Sequence, residues 1–135
     1  MSAIDREFKV PEDESEWGAT HYNVCEQSDK CGFIHIFECS QPDMSYEFNT
    51  YLVLKDIETS KFYGTGDSGC SCPTPFEDIT RMSQLTRIES KERLMDELES
   101  WFHDELTSDY DEGLRGPMRD AINDAIAVAR KAGLE

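Results

Sequence analysis

The stretch Tyr46–Leu54, YEFNTYLVL, sets Tyr46, Phe48, Thr50, Leu52 and Leu54 against Glu47, Asn49, Tyr51 and Val53. Successive side chains of an extended chain point to opposite faces, so this period of two predicts a β-strand. Upstream, Phe33–Cys39 reads FIHIFEC, apolar on both faces, which suits an interior strand. Thr20–Glu26 places Tyr22 and Val24 on one face, and Thr59–Tyr63 follows the turn Lys55–Glu58. The connections Gln27–Gly32 and Ser40–Met44, with its Pro42-Asp43 turn, are short and polar, favouring antiparallel hairpins. A four-stranded meander is expected, and Gln84–Ile88 reads as a fifth short strand or a helical turn.

The last third is helical by its spacing. Ser90 stands where an N-cap belongs, with Glu92 in the first turn, where the helix dipole favours an anion. Leu94, Met95, Leu98, Trp101, Phe102 and Leu106 then recur at three- and four-residue intervals. A second helix is predicted from Gly116-Pro117, with the stripe Met118, Ala121, Ile122, Ala125, Ile126 and Ala129, and Gly133 as C-terminal cap. Each helix has one apolar face, so both should cover the same face of the sheet. The expected fold is a single α+β domain over 17–135: an antiparallel meander of four or five strands under two C-terminal amphipathic helices. Residues 1–16, with Pro11 and the acids Glu12, Asp13, Glu14 and Glu16, read as a flexible acidic arm with nothing to bury, and Trp17 marks the start of the fold.

Composition excludes several classes. The chain has 135 residues, enough for one core, and carries 29 acids against 13 bases, a formal net charge of −16. No apolar run approaches the ~20 residues of a membrane span, and the first twenty residues hold no apolar stretch of the kind a secretory signal needs. The reading is therefore a protein of the reducing cytosol, without a disulfide framework. Nucleic-acid affinity rests on Lys and Arg displacing counterions, so direct binding to DNA or RNA is not expected. The acidity serves solubility or docking on a basic surface of another protein.

The composition changes abruptly at Gly64–Glu77, GTGDSGCSCPTPFE, which reads as a loop and neither a helix nor a central strand. Gly64-x-Gly66-x-x-Gly69 follows a strand, as a dinucleotide-binding turn does, but Cys-Ser-Cys-Pro stands where the phosphate-holding helix should start. Gly66-Asp67-Ser68-Gly69 matches the nucleophile tetrapeptide of chymotrypsin-like proteases, with His21 upstream, yet the chain is too short for their two barrels. Cys70-x-Cys72 can place two thiolates on one zinc ion. In the expected meander, Cys39 and His21 lie at the same end of the sheet, so Cys39, Cys70, Cys72 and His21 form a candidate metal set, and Cys25 and Cys31 lie at the other end. The simpler reading is structural. Gly66 and Gly69 relax the backbone, Pro73 and Pro75 stiffen the exit, and Asp67 and Ser68 satisfy backbone donors. Cys70 and Cys72 then pack inward as small apolar groups, with Phe76 beneath the helices. Elsewhere, His35 reads as a hydrogen-bonded core histidine. The acids of Asp104–Glu112 fail the EF-hand register, which would put Ser108, Tyr110 and Arg119 at ligand positions.

The run Asp67-Ser68-Gly69-Cys70-Ser71-Cys72-Pro73-Thr74-Pro75-Phe76-Glu77, preceded by the aromatic pair Phe62-Tyr63, resembles the signature of a family of small actinobacteriophage proteins of uncharacterised function. The resemblance implies a phage accessory protein acting in the cytoplasm of the bacterial host; it implies no reaction. With no nucleophile, base and orienting group in one pattern, the expected function is non-enzymatic and cofactor-free: binding a host or phage protein through the acidic surface. The alternative is a zinc-binding or thiol-based activity centred on the Cys70-x-Cys72 loop.

Overall fold

The computed structural model describes residues 6–8, 23–42, 47–70, 76, 78–107 and 112–135. Four strands, β1 (Phe33–Ser40), β2 (Glu47–Asp56), β3 (Phe62–Cys70) and β4 (Thr86–Ile88), form one antiparallel sheet in sequential order. Helices α1 (Lys91–Trp101), α2 (His103–Thr107) and α3 (Glu112–Lys131) follow. The architecture is the expected α+β meander with C-terminal helices on one face.

β2 is the spine of the sheet. Tyr51, Leu52, Val53 and Leu54 are all buried, so both faces of this strand need cover. Tyr51 and Val53 face the helices and join Leu94, Leu98, Phe102, Met118, Ile122 and Ala129 in one core. Leu52 and Leu54 face the other way, against Phe8, Val24, Phe33, Phe76 and Met82. The helix caps follow the sequence. Ser90 Oγ accepts the Arg93 N–H at 3.2 Å, and Gly133, at φ +112°, ends α3 with the Leu134 N–H returned to the Ala129 carbonyl.

Several expectations are corrected. Val24–Gly32 is a chain of turns and not a strand: Asn23 Oδ1 accepts the Cys25 and Glu26 N–H groups at 2.9 and 3.1 Å, and the Gln27 N–H bonds the Asn23 carbonyl. A short amide side chain that captures nearby backbone donors outcompetes a period-two pattern. Thr20, His21 and Tyr22 of that expected strand lie outside the described residues, as does Tyr46. Four strands still result, because the segment after Arg81 supplies β4. Phe33–Cys39 is an edge strand, not an interior one. Inside the segment read as an arm, Arg6–Phe8 docks: Phe8 is buried, its N–H bonds the Thr80 carbonyl, and Glu7 bridges Arg81. Helix α3 starts at Glu112, so Pro117 lies inside it. Phe76 is buried on the face opposite the helices.

The loop expected from Gly64 starts later, because Gly64–Cys70 continues β3 and pairs with Val53–Glu47. Its glycines are seats for aromatic rings. A Cβ on Gly64 would lie 2.6 Å from the Tyr51 ring, and one on Gly66 would lie 2.6 Å from the Trp101 indole. Tyr51 and Trp101 meet edge to face with centroids 6.2 Å apart, so the two rings tile the bare backbone of β3.

Gly66→Ala should therefore destabilise the fold by about 1–3 kcal/mol through overpacking. Denaturant melts of Gly66→Ala alone and combined with Trp101→Ala check this; the second change should recover part of the loss. Phe76→Ala should cost about 3 kcal/mol or more, the cavity falling in the face away from the helices.

Candidate functional site

In a regular strand, residues three apart point to opposite faces. β1 breaks that rule with a bulge: His35 pairs with Leu54 and Phe37 with Val53, leaving Ile36 as the extra residue. Phe33 thus lies in one core, and Phe37 and Cys39 in the other. The same shift returns Glu38 to the face of His35, and His35 Nε2 lies 3.0 Å from Glu38 Oε1. The Asn23-capped turn lies over this face. From it the Cys25 thiol donates to the same Glu38 oxygen at 3.0 Å. The ligand atoms of Cys25, His35 and Glu38 all lie within 4.8 Å of one another.

The electrostatics of this trio oppose nucleophilic chemistry. Burial, then the hydrogen bond and charge of Glu38, then the charge of Glu26, drive the Cys25 thiol far above its ordinary range. A thiol held protonated is a poor nucleophile. His35 is half-exposed and not the core histidine expected.

A second feature surrounds Trp101 at the end of α1. Its ring packs on Tyr51 and over Gly66, yet 36% of the residue is exposed. On one side lies an open groove of about 560 Å³, lined by Glu47, Asn49, Ser68, Asp104 and Glu105 among others. A second groove of about 680 Å³, also bordered by Trp101, is reached by Glu99, His103 and Asp104. No lysine or arginine lines either groove among the described residues. Asn49 Nδ2 donates to Glu105 Oε1 at 3.1 Å, fixing one of the carboxylates.

The residues singled out in the sequence are dispersed. Asp67 acts as expected: its carboxylate accepts the Phe76 N–H at 2.8 Å and the Ser68 N–H at 2.9 Å. The first bond holds Phe76 at φ +66°, a left-handed conformation unusual for a bulky residue. Gly66 seats Trp101, and Gly69 lies beside the Phe48 ring. His21, Cys72, Pro73 and Pro75 lie outside the described residues, and so does the side chain of Cys70. Cys39 is buried in the helix-side core, where burial pushes its thiol up to about 11. Cys39 pairs with Tyr51 and Tyr51 with Gly66, so Cys70 is four residues along and two strands across from Cys39. At strand spacings of ~3.3 and ~4.8 Å these backbones are about 16 Å apart, too far for one zinc ion. The cause is the extension of β3, which carries Cys70 beyond the sheet edge expected for it.

The trio Cys25, His35 and Glu38 was not legible in the sequence. Neither the bulge nor the turn leaves a local signature in FIHIFEC, although the Asn23 cap has one in Asn-Val-Cys-Glu-Gln.

Residues 22–132 match the model of a family described as a domain of unknown function (DUF7574), and the chain belongs to that family. No curated protein and no solved structure matches the chain. No helix among the described residues is long and apolar enough to cross a membrane.

Because Glu38 raises the Cys25 thiol, Glu38→Gln should lower its pKa and raise its thiolate fraction. Alkylation of Cys25 by iodoacetamide at about pH 8, followed by peptide mapping, should be faster in Glu38→Gln than in the wild type. An unchanged or slower rate contradicts this account of the thiol.

Proposed function

We propose that the protein is a non-enzymatic binding module whose acidic grooves take a basic segment of a partner protein, with Trp101 as the anchor. The observation that carries this reading is the placement of Trp101. Its ring is immobilised over Gly66 and against Tyr51, so little rotamer freedom is lost when a ligand covers it. A partly exposed indole among Glu47, Asp104 and Glu105 suits a lysine or arginine side chain, which gains both a cation–π contact and carboxylate partners. The net charge of −16 draws a basic partner in and repels nucleic acid. The likeness of Asp67–Glu77 to actinobacteriophage proteins supports an accessory role in phage infection, exercised on a host or phage protein in the bacterial cytoplasm.

An arginine- and lysine-rich peptide, titrated against a Trp17→Phe variant so that Trp101 is the sole indole reporter, tests the reading. Binding should weaken steeply as salt rises from about 0.05 M to about 0.5 M, which shortens the Debye length roughly threefold. It should weaken about tenfold or more in Asp104→Lys, where a repulsive charge replaces an attractive one. Equal affinity for an acidic peptide of the same length, or no response to Asp104→Lys, overturns it.

A further inference from the structure

The Cys25–His35–Glu38 trio lies on the face of the sheet away from the helices, and neither groove around Trp101 includes any of the three. We propose that this trio is a binding site for a zinc-type divalent cation. Three kinds of donor, a sulfur, an imidazole nitrogen and a carboxylate oxygen, converge within 4.8 Å. That mixed set suits borderline metals; calcium and magnesium prefer oxygen alone. Three protein donors are also what a four-coordinate zinc ion takes when its last ligand is water or a further molecule.

His35 and Glu38 are exposed, but the backbone organises their meeting with Cys25. The β-bulge puts His35 and Glu38 on one face, and the Asn23 cap fixes the turn that delivers Cys25. Without the ion, Glu38 Oε1 holds both other donors at 3.0 Å, so the three are gathered before any cation arrives. Ligand atoms of a tetrahedral zinc ion, at ~2.0–2.3 Å from it, are roughly 3.3–3.8 Å from one another, so entry of the ion requires a rearrangement of about 1 Å or less in each of these separations. The step balances simply. The Cys25 Sγ–H bond breaks and its proton passes to solvent. The His35 ring changes tautomer, its Nε2 proton, which faced Glu38, leaving to solvent as Nδ1 takes one up. The sulfur pair left behind, the Nε2 pair so freed and a Glu38 oxygen then form the bonds to the ion. No electron is transferred.

Cobalt(II) titration of the reduced, metal-free full-length protein tests the proposal, because thiolate and tetrahedral coordination each give a distinct absorption band. One equivalent should bind, with a thiolate-to-cobalt band, and one equivalent of zinc should displace it. His35→Gln and Glu38→Gln alter half-exposed side chains and should leave the thermal melt of the metal-free protein nearly unchanged. Each should weaken cobalt binding by about tenfold or more. A combined Cys70→Ser, Cys72→Ser variant should bind as the wild type does, which separates this site from the loop cysteines. Absence of a thiolate band in the wild type overturns the proposal. So does unchanged binding in His35→Gln and Glu38→Gln, or loss of the band in the Cys70→Ser, Cys72→Ser variant.

Discussion

The double-sided burial of β2 is the constraint on which the rest of the structure depends. Four consecutive residues, Tyr51–Leu54, are at most 3% exposed, so apolar surface leaves the sheet in both directions. One layer of helices satisfies only half of that demand. The other half is met by short pieces: Phe8 from the N-terminal segment, Val24 from the turns before β1, Phe76 from the stretch before β4, and Met82 from the 3-10 turn Met82–Gln84. Each segment that looks peripheral along the chain is drawn in because Leu52 and Leu54 would otherwise meet water. Full burial of such a side chain is worth about 1.5–3 kcal/mol.

That second layer is also where polar groups are brought into contact. Arg6 lies over the Phe33 ring, 4.9 Å from its centroid, and pairs with buried Asp56 at 3.5 Å. Asp56 in turn accepts from the Glu58 N–H and the Thr59 hydroxyl, closing the β2–β3 turn. The same layer holds Cys25 against Glu38. A sheet covered on this face by turns and not by a helix can offer side chains from several directions at once, and loops carried on a rigid scaffold are where sites form.

On the helix side, the close approach of rings to backbone is the organising feature. Gly64 and Gly66 give up side-chain packing of their own so that the Tyr51 and Trp101 rings can approach the backbone of β3 closely. Tyr51 Oη donates to Glu97 at 3.4 Å, and burial, reinforced by the Glu97 charge, drives its phenol well above the ordinary range. Trp101 is left half in the core and half in the acidic grooves. A ring seated on Gly66 and against Tyr51 has little freedom to drift, and this gives the groove a rigid floor.

The amino-acid sequence by itself determined the fold class, because period-two alternation in Glu47–Leu54 and three-four spacing in Leu94–Leu106 are local and need no partner to be read. It likewise determined the Ser90 and Gly133 caps and the bond of the Asp67 carboxylate to the next N–H, whose chemistry acts within a few residues. Tertiary structure decided the rest. That Gly64–Gly69 is a strand depends on rings from β2 and α1 filling the space above it, which composition reads only as a loop. That Phe8 and Phe76 share a core depends on the unmet face of β2. That Cys25, His35 and Glu38 meet depends on one extra residue in β1, and a bulge depends on how two strands pair, a relation no single stretch of chain contains.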